Sequence, residues 1–202
     1  MANYIFAPAP TFGVSEHPFT TWENGFSSEE LEKLVAYCDS LPVNKGTIGS
    51  VDTKEDISEI RESKVAWIGL NSESQWIYDR LAYIARQLNG QFYKFDLYGF
   101  SEDLQYTVYE SSTNGHYSWH TDSGVSGTSS PPRKFSLVLQ LSDPEEYEGG
   151  DLELYTMSTP TKVLKQRGLV VGFPSYVLHR VTPVTSGIRR TIVVWVCGPA
   201  FK

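Results

Sequence analysis

Hydrophobic positions along the chain follow two different periods. Near the N-terminus they recur at helical spacing: Leu31, Leu34, Val35 and Cys38 share one face behind Ser27-x-x-Glu30, a capping box. Pro42 disfavours continuation, so this helix is expected to end near Ser40. The same spacing returns at Ile77, Leu81, Ile84, Ala85 and Leu88, behind Ser72-x-x-Gln75, which reads as a second capping box. Asn89-Gly90 is the expected stop. Residues 44–62 are polar and charged and predict an exposed loop or weak strand. Residues 1–26, rich in Pro, Thr and aromatics, read as a segment lying extended along the body.

After Gly90 the period falls to two. Segments 92–98, 104–110, 135–142, 151–155, 161–164, 169–173, 176–181 and 188–197 are short, rich in aromatic and β-branched residues, and separated by turn signals. In 135–142, Phe135, Leu137, Leu139 and Leu141 take one face while Ser136, Val138 and Gln140 take the other. Two helices followed by about eight strands predict an α+β fold, mainly β. Its core is a double-stranded β-helix (jelly roll) over about residues 92–198, with the N-terminal helices packed on one outer face. One domain spanning 1–202 is expected.

Composition narrows the function classes. Of 202 residues, 40% are hydrophobic and 13% aromatic, ample for a packed core. A net charge of −7 argues against a broad electrostatic grip on nucleic acid or an anionic membrane. No apolar run reaches the length of a membrane span, and the first residues lack a basic n-region. Cys38 and Cys197, far apart in sequence, read as buried thiols rather than a disulfide framework. A cytoplasmic monomer or homodimer is the expectation.

The candidate chemistry lies in His120-Thr-Asp122, His179 and Arg189. Two imidazoles and one carboxylate hold Fe(II) on one face and leave the opposite positions open. With four histidines and 24 acids in 202 residues, an accidental His-x-Asp is roughly an even bet, so context must carry the assignment. Period-2 geometry at the end of a strand-like stretch points His120 and Asp122 the same way. His179 stands in an apolar strand that disfavours an unpaired imidazole. Arg189 shares a predicted face with Thr191, Val193 and Trp195, and an inward guanidinium needs an anionic partner, such as the far carboxylate of an iron-chelating keto acid. Arg190 points the other way. His116-x-x-x-His120 lacks the Glu of a zinc-protease helix. Tyr117 and Trp119 flank the ligands and are candidates for the entrance, and Ser123–Lys134 is a loop suited to cover it.

These residues resemble the Fe(II)- and 2-oxoglutarate-dependent dioxygenases, most closely the prolyl-4-hydroxylase-like branch that includes the PKHD-type hydroxylases. The likeness runs over roughly residues 20–198. It is strongest in Tyr109 to Asp122, in Glu148-Gly-Gly-Asp-Leu152, and in His179-Arg-Val-Thr-Pro-Val-Thr-Ser-Gly-Ile-Arg189. It implies His120, Asp122 and His179 as iron ligands and Arg189 as the partner of the 2-oxoglutarate C5 carboxylate. Tyr109 and Thr191 occupy positions that add hydroxyls to that carboxylate, and Trp195 one near the substrate. The resemblance also implies O2 as co-substrate, ascorbate as reductant, and release of succinate and CO2 as a prolyl residue in a polypeptide is hydroxylated. A free amino acid or other small molecule is the alternative substrate. A non-catalytic jelly-roll binding protein is the alternative class, although it would have no reason to keep an inward Arg189.

Overall fold

The computed structural model describes residues 17–47, 57–123, 131–156 and 158–200. Its strands and helices follow in the order β1 (Thr20–Trp22), α1 (Ser28–Asp39), β2 (Asn44–Lys45), α2 (Ile57–Ile60), β3 (Arg61–Glu62), β4 (Lys64–Ile68), α3 (Gln75–Leu88), β5 (Gly99–Phe100), β6 (Leu104–Glu110) and β7 (His116–His120). There follow β8 (Arg133–Gln140), β9 (Tyr147–Gly149), β10 (Leu152–Tyr155), β11 (Pro160–Lys162), β12 (Val170–Pro174), β13 (His179–Val181) and β14 (Val184–Cys197). The nine-stranded major sheet runs β1-β12-β8-β14-β6-β4-β2, with β5 and β9 also on β14; the minor sheet runs β11-β10-β13-β7-β3. This is the expected double-stranded β-helix with its helices on one outer face.

Alternation divides each central strand of the major sheet between two environments. Phe135, Leu137 and Leu139 of β8, with Ile192, Val194 and Val196 of β14, pack against Leu34, Ile77, Leu81, Ile84 and Leu88 of the helices. Their opposite faces look toward the minor sheet, where Val138 joins Leu152, Leu154, Val171 and Phe173. Because both faces are covered, β8 is buried along nearly its whole length.

The first helix begins as expected: Ser27 Oγ accepts from Glu30 N at 3.1 Å and Glu30 Oε2 from Ser27 N at 2.8 Å. The second does not. Its N-cap is Ser74, and Asn71 Oδ1 accepts from the Glu73 and Ser74 amides at 2.8 and 3.0 Å. An Asx turn therefore starts α3, and Gln75 is its first residue rather than the third position of a box.

Other expectations are also corrected. Segment 92–98 is no strand: α3 runs into a π turn over Asn89–Tyr93 that stops at Lys94, in the left-handed region with φ 57°. The apolar alternation there serves packing instead, with Tyr93 5.6 Å from Phe95 and 5.0 Å from Phe135 between ring centroids. Segment 44–62 includes the short β2, α2 and β3, and its Arg61 is buried. Strand β4, which the sequence reading did not anticipate, joins β6 in the major sheet. Of 176–181 only His179–Val181 pairs as strand. Thr20–Trp22 pairs with β12. Residues 1–16, and 124–130 of the expected covering loop, lie outside the described residues. Cys38 and Cys197 are both buried free thiols. Among the described residues no helix is long and apolar enough to cross a membrane.

Candidate metal centre

His120 ends β7, Asp122 follows two residues later, and His179 opens β13 as the register partner of His120. One donor atom from each of the three lies within 4.8 Å of the others. His179 Nε2 is 3.5 Å and His120 Nε2 3.8 Å from the Asp122 carboxylate, beyond ordinary hydrogen bonds. That spacing leaves room for an ion at the centre.

The surroundings hold each donor in a ligating form. His120 Nδ1 lies 2.8 Å from Ser118 O, and His179 Nδ1 2.9 Å from Val177 O. A carbonyl can only accept, so each Nδ1 carries the proton and each Nε2 presents a lone pair. Burial first, and then His179, push the His120 imidazole down to about 4, against the opposing pull of Asp122. Burial would raise the Asp122 carboxyl, but His179 and His120, then the Ser136 hydroxyl, hold it below its usual value. Ser136 Oγ donates to Asp122 Oδ2 at 2.8 Å and sits 2.9 Å from Ser175 Oγ. The Asp122 amide donates to Ser175 O, also at 2.8 Å.

A β-bulge shapes the rest of this corner. Between His179 and Val181 the register shifts, so Val181 pairs with Tyr117. The extra residue brings Tyr117, three positions before His120, onto the same side. Its ring stacks on the imidazole at 3.5 Å between centroids and 15° between planes. Behind it, the Arg61 guanidinium lies 4.7 Å from the Tyr117 ring centre and donates to Ser63 Oγ, Thr47 O and Gln105 Oε1. Trp119 contacts Tyr155 and Arg180 instead. Trp195 is buried, 6.2 Å from half-exposed Trp67, and carries Arg133 stacked on its ring at 3.7 Å. Trp195 Nε1 acts on the Asp122 carboxylate, yet no partner meets hydrogen-bond geometry.

Arg189 is 2% exposed, and its Nη2 has no hydrogen-bond partner among the described residues. A buried guanidinium left in that state is costly unless an anion completes it. Tyr109 is its register partner on β6, with its ring centre 5.4 Å from Cζ. Thr191, on the same face, is buried. Arg190 pairs with Asp39 at 3.1 Å. His116 is not in the cluster: its two nitrogens meet Asn114 O and Glu59 O. Sequence reading missed Ser175 and Arg61. Ser136 stood on the interior face by alternation, but a lone serine carries no signal of its target.

The sequence model of the 2OG-Fe(II) oxygenase superfamily matches residues 104–197, a span that holds all three ligand candidates and Arg189. That segment, a little under half of the chain, is similar to the 2OG-Fe(II) oxygenase superfamily. Among curated proteins it resembles, a PKHD-type hydroxylase of Hyphomonas neptunium is 43% identical over 82 residues, 40% of this chain and 37% of the relative. The matched stretch thus spans about two fifths of the length of such curated relatives. The fold matches more broadly. A Pseudomonas putida prolyl-4-hydroxylase superposes with a TM-score of 0.70 at 20% identity, covering 92% of this chain and 95% of that one. A Trichoplax adhaerens prolyl hydroxylase, solved with a hypoxia-inducible-factor peptide fragment, gives 0.72 at 19% identity, covering 91% and 84%. The residues present fit both groups in the superfamily's name: a convergent set of two imidazoles and a carboxylate for Fe(II), and a buried guanidinium with one unpartnered nitrogen for a dicarboxylate.

Proposed function

We propose that the chain is an Fe(II)- and 2-oxoglutarate-dependent dioxygenase that hydroxylates a prolyl residue in a polypeptide. The observation that carries this reading is the three-donor cluster on the same enclosed face as Arg189, a buried guanidinium with an unpartnered nitrogen. His120 Nε2, His179 Nε2 and the Asp122 carboxylate would hold the iron, and Arg189 the far carboxylate of the keto acid. When bound, iron and keto acid together supply the O2 chemistry that hydroxylates a C–H bond and releases succinate and CO2.

The protein's part is orientation and exclusion. The Ser118 and Val177 carbonyls fix Nδ1 as the nitrogen that keeps its proton in each neutral ring, which leaves Nε2 of His120 and His179 to face the metal. Ser136 and Ser175 aim the carboxylate. Tyr117 covers one face of the His120 ring, and Phe173 lies 4.7 Å from His179 between ring centres, which keeps water from both imidazoles. Trp195, beside Asp122, is covered by Arg133, and half-exposed Trp67 next to it offers an apolar surface suited to a saturated ring such as that of proline. The prolyl hydroxylase neighbours, one with a peptide bound, support a polypeptide substrate. The reading takes residues 1–202 as one catalytic domain, with Tyr109 and Thr191 beside Arg189 and ascorbate as reductant.

The test is incubation with prolyl peptides, Fe(II), 2-oxoglutarate and ascorbate, following succinate and the peptide mass. Succinate release with one oxygen atom added to a peptide supports the reading. Oxygen added only to free proline moves the substrate to an amino acid. Absence of keto-acid turnover with every substrate overturns it.

A further inference from the structure

Tyr147 is a residue that the sequence reading did not single out. It lies on β9 opposite Gly187 of β14, two residues before Arg189. Side chains two apart on a strand share a face, so Tyr147 is the diagonal cross-strand neighbour of Arg189. Tyr147 is 5% exposed and clusters with Tyr109, Val181 and Val184, with Tyr117 packed against them. Gly150 joins tyrosine and arginine. At φ 60° it has no side chain, and a Cβ there would meet Arg189 Cδ at 2.9 Å and Tyr147 Cε2 at 3.3 Å. Glycine therefore lets both pack into one pocket, and the left-handed backbone independently disfavours other residues.

We infer that Tyr147 is a second binding residue of the anion site headed by Arg189, its phenol hydroxyl donating to the far carboxylate of the keto acid. This rests on the co-substrate reading above. Tyr109 and Tyr147 then flank Arg189 from the two strands on either side, β6 and β9. Lys165, the other cation on Tyr147, lies 4.5 Å from the ring centre but is engaged by Asp151 at 3.2 Å and by Gly149 O. The charge left for an anion is therefore that of Arg189. Burial raises the Tyr147 hydroxyl above its ordinary value despite Arg189, so it stays protonated and can donate.

The experiment is an anaerobic titration of metal-loaded protein with 2-oxoglutarate and with pyruvate, a keto acid without the distal carboxylate. Tyr147→Phe should lose about tenfold in affinity for 2-oxoglutarate while keeping wild-type affinity for pyruvate and for the metal. Unchanged 2-oxoglutarate affinity overturns the inference, as does an equal loss for pyruvate. A loss confined to a parallel Tyr109→Phe variant assigns the contact to the other tyrosine and also overturns it. If the wild type binds metal but no 2-oxoglutarate, the co-substrate reading itself falls, and the inference with it. Should Tyr147→Phe fail to fold, 3-fluorotyrosine placed at position 147 of the otherwise unchanged chain gives a second readout. Its fluorine resonance must move with 2-oxoglutarate and stay with pyruvate; the reverse overturns the inference.

Discussion

Arg189 and Arg190 are neighbours on β14 with opposite surroundings. Arg190 faces the helices, pairs with Asp39 at 3.1 Å, and its backbone N–H donates to Ser142 Oγ at 2.8 Å. Arg189 faces the enclosed side, with an unpartnered Nη2. The same division runs along the sheet: leucines, isoleucine and valines toward the helices, and Ser136, Arg189, Thr191 and Trp195 toward the site. One face of the major sheet is satisfied by the fold itself. The other contains two buried nitrogens, Arg189 Nη2 and Trp195 Nε1, without a hydrogen-bond partner among the described residues, and that difference is what marks a binding site.

The contrast can be broken from either side. On the helix face, Leu137 is fully buried, so Leu137→Ala should destabilise the fold by about 3 kcal/mol while leaving metal affinity unchanged, as read by denaturant unfolding and metal titration. A comparable loss of metal affinity would mean that the two faces are not separable. On the interior face the effect should be smaller and of the opposite kind. Ser136→Ala removes the hydroxyl that aims Asp122, and metal affinity should fall about tenfold with little change in stability. Unaltered metal affinity would reduce Ser136 to packing.

How much of this was legible in the sequence follows from the same division. Alternation alone separated Leu137 from Ser136 and Arg189 from Arg190, because period-2 patterning survives wherever both faces are buried. The two helices were legible from their apolar stripes. The start of α3 was not, since Asn71 outcompeted Ser72 through a local Asx turn whose signal resembles a box. Segment 92–98 misled because aromatic alternation there reflects packing against Phe135 rather than pairing. Tyr117 and His120 sharing a side was invisible as well: a bulge adds a residue, and no composition rule gives its position. Arg61 and Tyr147 escaped for a related reason. Their neighbours come from strands far away in sequence, so their roles exist only once the sheets are formed.

The most direct test of the two-faced account is an anaerobic titration of 2-oxoglutarate into metal-loaded wild type, Arg189→Ala and Arg190→Ala, followed by calorimetry. The account predicts one equivalent bound by the wild type and by Arg190→Ala with affinities within about threefold, and a loss of roughly a hundredfold in Arg189→Ala, the scale expected when a buried charge pair loses one partner. Equal losses in the two variants, or no keto-acid binding in the wild type, would contradict it.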